Sequence, residues 1–472
     1  MFNVRNFGAV GDGQTLDTAA LQDALDACRD AGGGEVTVPA GHFLTGTLRI
    51  HSYTTLNLTP GATLLGSTRI EDYTLDTRGK DGDQTGYHLL RIADATRVRI
   101  TGGGTIDGQG PAYWDSPEAP RDGEQPWRGY RLALSPHDRR PSPMVDIADS
   151  DNIRVEDVTL TNSAGWALNM RLSRWVWVRG VHILNPLDGP NSDGIDINAC
   201  RDVLISDCHI ENGDDAIVAF TLPGTGPCER ITVSNCILST RCAAIKFYTS
   251  CGYPFRQITI NNCIVYDSER AFAIYLGNGA AIEDIVCANI VMEGGTHPPN
   301  FGVRPIHIDV RNPHHKRRRI HGIESETDTG ADYLPQTPGS VRGLTLSNWV
   351  IRSTGRIIVG GWADVPIENL RLSNILMQVS GPQDLESFVN PTPSTGQWNR
   401  DLPHLRTIPA HVIVHGVKGL TMRDIEVVNA SPEPLPGMHG LWLEHVTDEQ
   451  IEGFRTYPLQ DEYVGLVRKD SE

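Results

Sequence analysis

An eight-residue pattern that keeps returning along the chain limits its possible folds more than any other feature. It runs apolar-x-apolar-polar-x-apolar/Cys-x-apolar, as in Ile153-Arg154-Val155-Glu156-Asp157-Val158-Thr159-Leu160. It starts again at Val176, Val203, Ile231, Ile258 and Ile285, in steps of 23, 27, 28, 27 and 27 residues, and later at Leu344, Leu370 and Leu420. The steps to Leu344 and from Leu370 to Leu420 are about twice as long, so each holds a long insertion or a degenerate turn. Apolar residues that alternate over short segments, with Asn, Asp and Gly between, specify strands. A period in the high twenties is too short for a βαβ unit. It suits a β-solenoid, whose coils stack at the strand spacing of ~4.8 Å and share one continuous core.

Such a column exposes strand edges at its ends and needs caps. Thr18 to Cys28 places Leu21, Ala24, Leu25 and Cys28 on one face, with Gly32-Gly33-Gly34 following, which predicts a short amphipathic capping helix within residues 1–50. No Pro/Ser-rich linker divides the chain, so residues 1–472 are expected to form a single all-β domain. Segments 111–142, 296–340 and 381–409 are rich in proline, glycine and charge and are expected to be loops that wall a groove.

Lys and Arg total 41 against 58 Asp and Glu, a formal charge of -17, which argues against nucleic acid or an anionic membrane as partner. The basic run His314 to Arg319 reads as a solvated loop within this acidic whole. No apolar stretch reaches the ~18 residues of a membrane span, and Met1 leads into Phe2-Asn3-Val4-Arg5 without the pattern of an export signal. The nine cysteines are an odd number, and Cys208, Cys236 and Cys263 recur at strand positions, as buried thiols would. A reducing cytoplasm is therefore expected. The chain has no CxxC pair or HExxH motif, so neither a metal nor a cofactor is expected.

A second register concerns chemistry. Trp166-Ala167-Leu168-Asn169, Asp193-Gly194-Ile195-Asp196, Asp215-Ala216-Ile217-Val218, Ala243-Ala244-Ile245-Lys246 and Phe272-Ala273-Ile274-Tyr275 align as rungs with a small second and an aliphatic third residue. The third column is then core, and Asn169, Asp196, Lys246 and Tyr275 are expected to form an exposed stripe. Asp193 and Asp215 open adjacent rungs, with Asp214 immediately before the latter. Crowded carboxylates repel one another and raise at least one pKa. Glycoside hydrolysis uses such a cluster, because one carboxyl must deliver a proton while another activates water or attacks carbon. Asp, Asn and Gly also suit plain turns, so each motif taken alone has a structural reading as well.

At these residues the chain resembles the polygalacturonase-like glycoside hydrolases of family 28. The resemblance runs through Phe7-Gly8-Ala9-Val10-Gly11-Asp12-Gly13, Val38-Pro39-Ala40-Gly41 and Thr101 to Gly108, and above all through Asn191-Ser192-Asp193-Gly194 and Gly213-Asp214-Asp215. It implies a right-handed parallel β-helix, with Asp214 as general acid, Asp193 and Asp215 holding the water as base, and inversion at the anomeric carbon. Two family motifs are replaced: Cys242-Ala243-Ala244 stands for Gly-His-Gly, and Ala273-Ile274-Tyr275 for the Arg-Ile-Lys that would bind a uronic carboxylate.

An oligosaccharide is the expected partner, either neutral or a uronate bound in an atypical way. Lys246 is the candidate replacement cation, with Arg241 beside it. Asn191, Asp196, Asn169, Trp166 and Tyr275 complete the substrate-binding candidates, and Tyr113, Trp114, Trp127 and Trp398 are candidates for the cleft wall. Long insertions together with a cytoplasmic location favour trimming of oligosaccharides from an end. The rivals are a β-helix lyase, epimerase or intramolecular glycosyl transferase, and a non-catalytic carbohydrate-binding solenoid.

Overall fold

The computed structural model describes residues 1–76, 84–115, 139–249, 252–277, 279–294, 303–310, 339–380, 405, 408–430, 437–459 and 463–469. Trp127, Trp398 and most of the three expected loops lie outside these residues. The fold is a right-handed parallel β-helix, with one α-helix among the described residues. It divides into two compact units, residues 1–218 with 231–240, and residues 219–230 with 241–472.

In the first unit each coil contributes to three parallel ladders. One runs through Thr54–Leu58, Thr96–Thr101, Asp151–Glu156, Arg174–Arg179 and Arg201–Ser206. The second includes Thr105–Asp107, Thr159–Thr161, His182–Leu184, His209–Asn212 and Ile237–Thr240. The third runs through Leu90–Ala93, Val145–Ala148, Leu168–Arg171 and Ile195–Asn198. The repeat sets this register directly, since Ile153 pairs with Val176 and Val176 with Val203. Its four apolar positions, Ile153, Val155, Val158 and Leu160, are all buried, as the alternation requires. The helix Thr18–Asp30 buries Leu21, Ala24, Leu25 and Cys28, the face expected of a cap.

In the second unit one ladder is built of long strands, Phe255–Ser268, Ala281–Gly294 and Ser340–Ser353, followed by Arg371–Val379, Thr421–Asn429 and Gln450–Tyr457. A separate ladder holds Ala243–Thr249, Arg270–Leu276, Ile306–Val310, Ile357–Gly360, Ala410–Lys418, His439–Thr447 and Leu466–Lys469. Ile285 pairs directly with Leu344, so the doubled step there is an insertion within one coil and not a degenerate turn.

The fifth repeat position, a free position in the sequence pattern, sets the corner of the coil. Asn262, Asn289, Asn348 and Asn374 all adopt left-handed backbone, with φ of 55°, 57°, 58° and 50°. Each side chain from Asn289 onward donates its amide to the carbonyl of the asparagine one rung before, at 3.0, 2.9 and 3.0 Å. Asparagine suits this position because it tolerates left-handed φ better than other side chains and also carries both a donor and an acceptor.

Asn348 lies in the middle of this ladder. Asn348→Ala is expected to cost about 2–3 kcal/mol of unfolding free energy, since two hydrogen bonds are lost and an unfavourable φ is imposed on alanine. Asn348→Gly, which accepts the φ, is expected to lose about half as much. Denaturant titration of both variants checks the order; equal losses would mean that the backbone conformation is not the constraint.

Candidate active site

The Ala167 N–H donates to the Asp193 carbonyl at 2.9 Å, and the Gly194 N–H to the Asp215 carbonyl at 2.9 Å. Trp166, Asp193 and Asp215 therefore open three successive rungs, with Leu168, Ile195 and Ile217 buried in the core two residues on. Both acids are nearly enclosed, at 7% exposure for Asp193 and 2% for Asp215, while Asp214 is half-buried. Asp214 sits at the turn and accepts the Asp215 N–H at 3.0 Å, and a carboxylate oxygen of each of the two acids lies within 4.8 Å of the other.

The two acid-bearing turns are tied to each other. Asn212 donates its amide to the Ser192 carbonyl at 2.7 Å and to the Asp215 carbonyl at 2.9 Å. Ser192 Oγ donates to the Gly189 carbonyl at 3.1 Å and accepts the Gly213 N–H at 3.0 Å. A Cβ on residue 213 would lie 2.7 Å from Ser192 Oγ and 2.8 Å from the Leu187 carbonyl, so only glycine fits. Thr240 Oγ1 donates to the Asp214 carbonyl. The buried Arg140 donates to the Pro190 carbonyl at 3.1 Å, the Ala164 carbonyl at 2.9 Å and Asn191 Oδ1 at 3.3 Å. Asn191, with φ of 50°, thus braces the turn.

Asn169 and Asp196 pair in register, as expected, but they are not an exposed stripe: their exposures are 0% and 1%. They continue a buried outward column that begins with Arg91 and Asp146. Arg91 is paired with Asp146 and, at 3.2 Å, with Asp76, while Asn169 Nδ2 donates to Asp146 Oδ1 at 2.5 Å. His88 lies 3.8 Å from Asp146, and its burial holds the imidazole pKa below the usual value against the pull of that carboxylate. Among Arg91, Asp146 and Asn169 these bonds offset part of the cost of burial. Trp166 is also largely buried, at 9% exposure, so its ring is not an open stacking platform. Tyr113 and Trp114 are likewise packed, with Tyr113 Oη donating to the Ser67 carbonyl and Trp114 Nε1 to the Ala164 carbonyl.

In the second unit the expected alignment is off by two residues. Lys246 pairs with Ala273, and it is Tyr248 that pairs with Tyr275. Lys246 still lies near both rings, its Nζ 5.5 Å from the Tyr248 centroid and 5.9 Å from that of Tyr275. Tyr275 is buried at 1% exposure, with its hydroxyl accepting from Arg270 Nη1 at 2.6 Å and meeting His307 Nδ1 at 2.8 Å. Burial raises its pKa against the opposing charge of Arg270, so it remains a phenol and is not an exposed sugar platform. Arg241 is half-buried just before the strand Ala243–Thr249.

The model of glycosyl hydrolases family 28 matches residues 28–298, more than half of the 472. The chain belongs to that family. It is 37% identical over 223 residues to a probable polygalacturonase of Vitis vinifera, covering 45% of this chain and 42% of the relative. It is 30% identical over 257 residues to the exo-poly-alpha-D-galacturonosidase of Dickeya chrysanthemi, covering 46% and 41%. The chain thus spans under half the length of these curated relatives. Among solved structures, a family 28 exopolygalacturonase of Yersinia enterocolitica shares the fold with a TM-score of 0.66 at 19% identity, over 96% of this chain and 78% of that one.

In this family 28 chain, the residues that sequence reasoning missed are those that hold the acids. Arg140 lies in a segment read as loop, and its partners Ala164, Pro190 and Asn191 are distant in sequence, so no local pattern reveals it. A basic group in the second unit was missed as well. Arg356 and His411 occupy adjacent rungs, each immediately before a paired core residue, Ile357 and Val412. Burial and the neighbouring Arg304 lower the Arg356 pKa to about 9. Burial and Arg356 hold His411 down to about 4.

Because the folded pKa of His411 lies below the unfolded value, its neutral form favours folding above the unfolded pKa. That contribution is lost as pH falls from about 6.5 through about 4. The expected loss is roughly 3 kcal/mol at most. His411→Gln should flatten the fall in denaturation midpoint between about pH 7 and pH 4.5; an unchanged slope would rule out His411 as its source.

Proposed function

We propose that the protein is a glycosidase that hydrolyses a pectin-related oligosaccharide from a chain end, with inversion and without a cofactor. The observation that carries this reading is the placement of Asp193 and Asp215 on adjacent rungs beside the less buried Asp214. Asp214, at the turn, is the proposed acid that protonates the leaving oxygen. Asp193 and Asp215, held by the braced turns, are the proposed base that orients and deprotonates water. Family membership and the names of the matched relatives support the substrate class, and the Dickeya relative's name supports exo action. The eight described cysteines, all buried free thiols, support a cytoplasmic location within the same proposal.

Asp214→Asn is expected to lower turnover by about three orders of magnitude on a substrate with a poor leaving group, with circular dichroism unchanged. Proton NMR of the wild-type reaction reads the product and its anomer together. Near-normal hydrolysis by the variant would remove Asp214 from the role of acid.

Lys246 is the proposed contact to a substrate carboxylate, in place of the missing Arg-Ile-Lys. On oligogalacturonide, Lys246→Ala should lower kcat/KM by about a hundredfold at low salt and by less at high salt, because the lost interaction is partly screened. On a neutral oligosaccharide of the same length, a loss of about fivefold is expected, the scale of one ordinary hydrogen bond. Equal losses on both substrates, independent of salt, would assign Lys246 to hydroxyl binding and the substrate to neutral sugars.

A further inference from the structure

We propose that His415, Glu444 and His445 form a binding site for a divalent transition-metal ion, with zinc as the fitting ion. One ligand atom from each of the three lies within 4.8 Å of the others. His415 and Glu444 are register partners on adjacent rungs, in the strands Ala410–Lys418 and His439–Thr447. Residues 444 and 445 are consecutive in one strand, and consecutive strand side chains normally point to opposite faces. The left-handed backbone of His445, with φ of 53°, breaks that alternation, so both side chains reach His415. One rung earlier, Gly416 adopts the same conformation, with φ of 61°, where glycine carries no steric penalty. Histidine, like asparagine and aspartate, is among the side chains that tolerate this conformation, so the corner can carry a ligand-bearing residue.

The surroundings hold two of the ligands in place. His415 Nδ1 lies 2.8 Å from the Gly361 carbonyl, an acceptor only, which fixes the proton on Nδ1 and makes Nε2 the ligand atom of the ring. Trp442 Nε1 donates to Glu444 Oε2 at 3.1 Å, which steadies the carboxylate. The two imidazoles are 5.0 Å apart between centroids and nearly perpendicular, at 80°. His415 is buried, while Glu444 and His445 are half-buried, so a fourth position facing water fits the arrangement. Two histidines and one carboxylate with an open fourth position is a zinc donor set, with bonds of about 2.0–2.2 Å that small side-chain rotations supply. The three residues lie beyond residues 28–298, the part matched to the family, and are distinct from the proposed acids.

The test uses the full-length protein, dialysed against chelator and then titrated with zinc chloride in a calorimeter. One tight equivalent is expected for wild type. His445→Gly keeps the left-handed corner and removes only the ligand, and Glu444→Gln keeps the Trp442 hydrogen bond; each should weaken zinc binding by about a hundredfold. Asp214→Asn should bind zinc as wild type does. Cobalt chloride gives a second readout, visible bands of tetrahedral intensity in wild type that are lost in His445→Gly. Absence of a stoichiometric equivalent in wild type, or undiminished binding in His445→Gly, would overturn the site.

Discussion

The structure depends on a backbone that turns through a left-handed residue at each corner without losing the register of the next rung. Left-handed φ costs a substituted residue of ordinary type about 1–2 kcal/mol, so a solenoid that repeats the corner many times must place tolerant residues there. In the second unit that residue is asparagine, at 262, 289, 348 and 374, and the carboxamides join into a hydrogen-bonded ladder. In the first unit Asp157, Asp207 and Asn235 hold the corresponding repeat position with φ of 54°, 57° and 56°. The corner ends one face and begins the next, which allows two pairs of apolar residues on either side of it to point into the same core.

Fixed register also positions the chemistry. Asp193 and Asp215 lie one strand spacing apart because the hydrogen bonds of the rungs leave no freedom along the strands. The turns that carry the acids are held in turn by Asn212, Ser192 and Arg140, whose bonds go chiefly to backbone carbonyls. A catalytic constellation built in this way is pre-organised, with little left to order when a substrate binds. The same register brings His415 beside Glu444, and a single left-handed residue adds His445.

Outward-facing columns on this scaffold are not necessarily exposed. Alternation correctly places Asn169, Asp196 and Tyr275 away from the core, yet all three are buried. Alternation describes direction only; whether water reaches a side chain depends on what packs over it. For Tyr275 this includes Arg270 and His307, and for Asn169 the charged column of Asp146 and Arg91.

The sequence by itself determined the parallel coils, the first-unit register from Ile153 to Val203, the cap face of Leu21, Ala24, Leu25 and Cys28, and the adjacency of Asp193 and Asp215. These follow from periodicity, which is local, repeated and tied directly to burial. Only the tertiary structure decided that Lys246 pairs with Ala273, because small and aliphatic residues recur on both alternatives and a two-residue slip preserves the face. It alone also assembled Arg140 with Asn191, and His415 with Glu444 and His445, since these partners are far apart in sequence. Periodicity specifies which face a residue occupies, but contacts across coils depend on how the connecting segments close, and no local pattern encodes that closure.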